Sequence, residues 1–245
     1  MNSVIDLLKS HRSIRKFTDR PIDPELLDEL FRAGQGAATS SFLQGSTIIR
    51  VTRPETRAQL AELAGNQRYV ETAAEFLVFC ADLKRAGNYC AKYEKPFEGD
   101  FTEHFIIATV DAALMAQSLV TAAESEGIGI CYIGGIRNNP GPVSDLLELP
   151  NGVYPVFGLC LGYPDQDPEL KPRLPLSVIV KQEVYNEDGD AEIIEEYDEH
   201  IREYYRTRTG GGHGISWSEQ VATLLSEKSR PHMRDFLASK GFKFK

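Results

Sequence analysis

The 245-residue chain carries 27 Lys and Arg against 36 Asp and Glu, a formal net charge of -9, so nucleic acid and anionic membrane surfaces repel it on average. Its 42% hydrophobic content is enough for a substantial core, in one large domain or two small ones. Cys80, Cys90, Cys131 and Cys160 show no C-x-x-C pair and no zinc spacing, which gives a disulfide framework or a zinc site little support and points to reduced, buried thiols.

In chain order, MNSVIDLLKS sets Val4, Leu7 and Leu8 at helical spacing around Asp6. It lacks the uninterrupted apolar run of a secretory signal, and a cytoplasmic location follows. A helix is predicted from residue 23 to about 37, with Asp23 as N-cap, Pro24 at its first position and Leu26, Leu27, Leu30 and Phe31 on one face. A strand around 47 to 51 leads into a short helix, RPETRAQLAELAG, ended by Gly65. AAEFLVFCAD is a continuous apolar run bounded by Asp82, as a strand buried on both faces requires, and further strands are predicted at GICYI and at 156 to 161.

FIIATVDAALMAQSLVTAAESE, residues 105 to 126, is apolar on almost every face of a helix. Asp111, Gln117 and Glu124 interrupt it, so no uncharged run reaches the ~18 residues a bilayer asks for. Such a helix is expected to be buried on all sides, within one domain or against its twin across a two-fold axis. After Gly162, YPDQDPELKPRLP carries Pro164, Pro168, Pro172 and Pro175 and is predicted to be an extended arm. A short strand near 178 to 184, the acidic helix DAEIIEEYDEHIREYYRTR, the loop TGGGHG and two helices beginning near Trp217 and Pro231 complete the chain. No internal repeat and no clean linker divides it, and the last third is expected to wrap a partner subunit.

HRSIRKF, residues 11 to 17, concentrates positive charge in this acidic protein. Arg guanidinium groups hold phosphate through paired charge-assisted hydrogen bonds, and His11 and Ser13 can add donors. The same cluster would also serve as a solvated helix end that offsets a carbonyl pole. KPRLP holds a second basic pair, Lys171 and Arg173, and YIGG, residues 132 to 135, places glycines at a strand end where a flat ligand could approach backbone N–H groups. YIGG lacks the full G-x-G-x-x-G pattern and TGGGHG lacks the P-loop Lys, while no Ser-His-Asp or Cys-His arrangement can be inferred.

HRSIRKFTDRPI, TSSFLQ at 39 to 44, GNQ at 65 to 67, ICYIGGIRN at 130 to 138, and FGLCLGYP followed by LKPRLP occur together in this order. With them the chain resembles the bacterial NADPH-dependent nitroreductase and FMN reductase family, in the branch of the major oxygen-insensitive nitroreductase. The resemblance runs over nearly the whole chain and is weakest at 83 to 103 and 185 to 195. It implies an α+β, nitroreductase-like fold: one domain over 1 to 245, a central mainly antiparallel sheet flanked by helices, and an intertwined homodimer. Residues 163 to 245 would form the arm and helical excursion that wraps the partner and contributes to the nucleotide site.

The resemblance further implies FMN at each of two interface sites. His11, Arg12, Ser13 and Arg173 fall at its phosphate positions, and Arg15 and Lys171 near the N1 and O2 side of the ring. Thr39 and Gln67, with Arg68 and Tyr69 beside Gln67, fall at further contacts, and Tyr132, Ile133, Gly134 and Gly135 bring backbone N–H groups toward N5 and O4. Cations near N1 and O2 would favour the reduced flavin, and no side chain need act as acid or base. Ser40, Ser41 and Phe42 would line the substrate pocket, with Phe42 alternatively a core residue. Arg230 would contact an anionic group of the acceptor or make a helix N-terminal salt bridge.

Arg208 matches the position that recognises NADPH, whereas His213 stands where one branch has a further basic residue, so NADH use is expected beside NADPH. The implied activity is ping-pong transfer of a hydride from NADPH through FMN to nitroaromatics, quinones, chromate-like oxidants or free flavin. Reduction of free FMN as the physiological task, and a non-catalytic redox sensor using Cys131, are the competing readings. The expected partners are a second copy of the chain and small-molecule electron acceptors, with neither nucleic acid nor membrane among them.

Overall fold

The computed structural model describes residues 3–208, 212, 214–227 and 229–245. Its strands are β1 (Ser46–Arg50), β2 (Glu75–Asp82), β3 (Gly129–Ile133) and β4 (Val153–Gly162). Its helices are α1 (Ser3–Lys9), α2 (Pro24–Gln35), α3 (Pro54–Leu63), α4 (Tyr69–Thr72), α5 (Lys84–Lys92), α6 (Thr102–Ser125), α7 (Pro140–Leu146), α8 (Leu176–Ile179), α9 (Asp190–Thr207), α10 (Trp217–Ser226) and α11 (Met233–Ser239). The chain divides into two compact units, one of residues up to 168 together with 232–245, the other of residues 169–231.

In the first unit the strands pair antiparallel in the order β1-β2-β4-β3. The central β2 is buried on both faces, as its unbroken apolar run requires. Phe76, Val78 and Cys80 point to one side, where Leu60 and Ala61 of α3 and Val143 of α7 cover them. Leu77 and Phe79 point to the other, against Leu27 and Leu30 of α2 and Ala116, Leu119 and Val120 of α6. The sheet is therefore the middle layer of three.

Asp23 caps α2 by accepting from the backbone N–H of Glu25 at 2.9 Å and of Leu26 at 3.4 Å. Pro24, whose missing N–H costs nothing there, opens the first turn. Gly34 lets α2 lie close on α6, because a Cβ there would stand 3.1 Å from the Leu119 Cβ and 3.2 Å from the Met115 carbonyl oxygen. Asp23→Ala is expected to cost about 1 kcal/mol, read as a lower urea midpoint with an unchanged slope.

By length and composition α6 could cross a membrane, yet it is the core helix of this unit. Ala108, Asp111, Ala112, Ala116, Leu119, Val120 and Ala123 are buried along it. Burial on all sides within one chain does not hold: Ile106, Val110 and Leu114 form an exposed apolar stripe at four-residue spacing. The sheet and α2 occupy one face of the helix, which leaves that stripe without cover in a single chain.

In the second unit residues 178 to 184 are not the predicted strand. Pro175 starts a turn with its φ at -55°, and α8 follows, closed by Val180 N–H donating to the Leu176 carbonyl. The described residues of this unit contain no strand for Val178, Ile179 and Val180 to pair with, so their β propensity goes unused. The acidic helix α9 forms as expected, and Ser216 with Glu219 makes a reciprocal capping box at the start of α10.

All four cysteines are free; Cys80, Cys131 and Cys160 are buried and Cys90 is half-buried. Burial pushes the Cys80 thiol from an ordinary 9.0 up to about 12, and raises Cys131 and Cys160 as well. An unfolded chain releases these protons near pH 9 and the folded one holds them. Stability is then complete below pH 9 and falls as pH rises toward 12. Urea midpoints at pH 8, 9.5 and 10.5 are expected to decrease in that order.

Candidate functional site

Residues 11–17 run beyond the end of α1 and lie along the outer edge of β3. Ser13 bridges Ile130 in the parallel sense, and the Ile14 N–H donates to the Ile130 carbonyl at 2.8 Å. Further on, Phe17 bridges Pro164, Thr18 N–H donates to the Tyr163 carbonyl at 2.9 Å, and Asp165 N–H donates to the Lys16 carbonyl at 2.9 Å. The basic cluster is thus held between the end of β3 and the chain leaving β4. It does not cap α1, which ends at Lys9.

His11 meets the Glu124 carboxylate, Nδ1 to Oε1 at 2.6 Å, and Arg12 pairs with Asp167. Burial raises the Tyr69 hydroxyl and the Cys131 thiol, and the Arg15 charge beside them counteracts both. Burial first, then the Glu124 charge, pushes Tyr132 up to about 12.

Below β3 the chain turns through a 3-10 segment, Gly134–Arg137. A Cβ on Gly135 would stand 2.2 Å from the Ala64 carbonyl oxygen and 2.7 Å from the Gln67 Nε2. Gln67 donates from Nε2 to that same carbonyl at 2.9 Å and accepts from the Tyr69 hydroxyl at 2.8 Å. Gly135 therefore answers to the end of α3, whereas Gly134 has only the Arg137 guanidinium at 3.5 Å and leaves room beside its backbone. Ile133 is fully buried, so its side chain belongs to the core, and Arg68 is exposed at the start of α4. Arg15, Gln67, Tyr69, Cys131 and Gly135 form one connected group at the end of β3.

Residues 39–42 lie elsewhere in the same chain. Buried Asp111 of α6 accepts from Ser40 N–H at 3.1 Å and Gly45 N–H at 2.9 Å, closing a loop in which Ser41, Phe42 and Gln44 take φ of 49°, 57° and 53°. Left-handed backbone at three non-glycine residues is strained and needs such an anchor. Phe42 is 81% exposed and is not core. Asp111 and Glu124 are separated by about 20 Å along α6 at 1.5 Å per residue, so this loop and the His11 cluster sit at different levels of the helix.

Among the described residues, three buried side-chain polar atoms lack a hydrogen-bond partner: Arg12 Nε, Thr39 Oγ1 and His104 Nδ1. The first two belong to residues that the motif resemblance assigns to FMN. A buried N–H without an acceptor costs about 1–3 kcal/mol, a cost that Arg12 Nε carries in this chain.

In the second unit Lys171 Nζ lies 5.2 Å from the Tyr205 ring centre, and the Arg208 guanidinium lies 5.8 Å and 5.7 Å from those of Tyr204 and Tyr205. Tyr197 donates to the Pro172 carbonyl at 3.0 Å and feels the Arg173 charge. Three predicted cations are thereby gathered on the tyrosines of α9. Arg230, half-buried after α10, has a φ of 50°, and His213 lies outside the described residues. Sequence reasoning missed Asp111, Glu124, Asp167 and these tyrosines; the one available signal was an acid placed inside an apolar helix.

Residues 8–163 match the nitroreductase family, and residues 171–245 match its C-terminal domain. The chain belongs to the nitroreductase family. It is 46% identical to an NADPH-flavin oxidoreductase of Vibrio harveyi over 98% of each chain. It is 42% identical to the oxygen-insensitive NADPH nitroreductase of Salmonella typhimurium over 99% of each. Its fold matches nitroreductase A of Vibrio parahaemolyticus with a TM-score of 0.93 and 47% identity, covering both chains completely. The nitroreductase fold expected from the motifs, an α+β chain with an antiparallel sheet between helices, is the one observed.

Proposed function

We propose that this nitroreductase-family chain is an FMN-dependent NAD(P)H oxidoreductase, passing a hydride from NADPH, and less selectively NADH, to nitroaromatics, quinones or free flavin. The observation that carries the reading is the buried, unpartnered Arg12 Nε beside His11 and Ser13, a donor set shaped for phosphate. FMN, when bound, supplies the centre that accepts and releases the hydride. His11, Arg12 and Ser13 would hold its phosphate. Arg15 would place fixed positive charge beside the ring, steadied by Tyr69, Gln67 and the turn at Gly134 and Gly135. Burial raises the Tyr69 and Tyr132 hydroxyls further above neutral pH, so neither brings a negative charge beside the flavin. Lys171 and Arg173 are assigned to FMN, Arg208 to the 2′-phosphate of NADPH, and Arg230 to the acceptor on the motif resemblance.

The working unit is proposed to be a homodimer in the cytoplasm. The uncovered stripe of Ile106, Val110 and Leu114 supports association, and Ser40, Ser41 and Phe42, distant from their own chain's His11 cluster, would serve the partner's site. Four free cysteines suit a reducing compartment. The test is the visible spectrum of the purified protein under anaerobic conditions, before and after one equivalent of NADPH and then of NADH. A flavin band bleached faster by NADPH supports the proposal. A colourless protein that neither binds added FMN nor oxidises either nucleotide overturns it. The two relatives are named one for flavin and one for nitro compounds, so a kcat/KM comparison of FMN, a quinone and a nitrofuran decides the preferred acceptor.

A further inference from the structure

The last turn of α6 holds Glu124 and no basic residue. A carboxylate there meets the negative pole of its own helix, which disfavours it, and this one is only 11% exposed. Acids in such unfavourable positions persist where another group requires them. The partner is His11, 113 residues earlier in the chain, held Nδ1 to Oε1 at 2.6 Å. A carboxylate only accepts, so Nδ1 carries the proton and Nε2 is left as the second ring nitrogen. Parallel pairing of Ser13 with Ile130 fixes the backbone two residues away, leaving the ring orientation to Glu124.

We propose that Glu124 is the positioning residue of the phosphate site: it holds the His11 ring in one orientation, with Nδ1–H committed to the carboxylate and Nε2 presented to the anion. In its doubly protonated form the ring would donate on both sides, to the carboxylate through Nδ1 and to the anion through Nε2. Glu124 is the charged group seen against the ring; the same carboxylate acts on Tyr132 of β3, and Arg12, next to His11 in the chain, pairs with Asp167. Glu124 needs no contact with the flavin to do this. The inference rests on the FMN reading above.

The test is a double-mutant cycle in FMN affinity, by quenching of flavin fluorescence, on wild type, Glu124→Gln, His11→Asn and the double variant. It is paired with 15N NMR of the imidazole in the FMN-free protein. Glu124→Gln is expected to weaken FMN about tenfold, the size of effect typical of orienting partners. It should also release the ring from the Nδ1–H tautomer. In the His11→Asn background the same substitution should change nothing further. Glu124→Asp, which keeps the charge, should recover part of the affinity and so separates this role from a general loss of folding. Wild-type binding with Glu124→Gln within twofold of it, or losses that simply multiply in the double variant, overturns the positioning role alone. A wild-type chain that binds no FMN overturns the flavin reading itself.

Discussion

Gly135→Ala is expected to lower stability by about 3 kcal/mol, at the upper end of what forcing one extra methyl into a packed site costs. The added Cβ would fall 2.2 Å from the Ala64 carbonyl oxygen, and that oxygen cannot retreat easily because it accepts from Gln67 at the end of α3. Relief by moving Gln67 would break its bond from Tyr69 and disturb the Arg15 contact, so FMN affinity should fall as well. Gly134→Ala is the control, since its nearest neighbour is the Arg137 guanidinium at 3.5 Å, an ordinary contact. Its urea midpoint should stay near wild type. Equal midpoints for wild type and Gly135→Ala would refute the close-approach explanation of the second glycine.

Arg12→Ala is expected to weaken FMN binding by about 100-fold, ~3 kcal/mol, which is the upper range for a hydrogen bond to a charged group. Stability of the FMN-free protein should not fall, because the lost partner, Asp167, is 87% exposed and exposed ion pairs contribute little, and the buried, unpartnered Nε is removed with it. Asp167→Asn removes a competing carboxylate and should tighten FMN slightly. Flavin titration with equilibrium denaturation separates the two effects. An unchanged affinity in Arg12→Ala would remove the guanidinium from the phosphate site.

What could be read in advance follows from the range of the interaction involved. The start of α2 was legible because Asp23, Pro24 and the leucines of one face act within a few residues. β2 was legible because an unbroken apolar run has few other fates. Residues 178 to 184 were misread because strand formation depends on a neighbour, and β-branched side chains cannot announce that none is present. The short helices α4 and α7 carry too little periodicity to stand out. In the site, the basic residues of 11–17 were recognisable as a motif, but their partners were not. Glu124 lies 113 residues from His11 and Asp167 lies 155 from Arg12. Asp111 and Glu124 drew notice only as interruptions of an apolar helix, and their tasks appear once the loops they hold are in place.

Residues 232–245 return to the first unit after the second unit has been traversed. There Phe242 packs edge-on against Phe105 at 6.0 Å and Tyr154 at 5.2 Å, and the Gly152 N–H donates to the Lys240 carbonyl at 2.7 Å. During synthesis, this corner of the core stays open until those residues leave the ribosome. The growing chain must therefore keep Phe105 and Tyr154 from other partners while some ninety residues are still to come, a delay that long-range topology imposes on folding rate. A nascent protein stalled within the second unit would expose aromatic surface to chaperones and proteases, and quality control could tell it from a finished one by that surface alone.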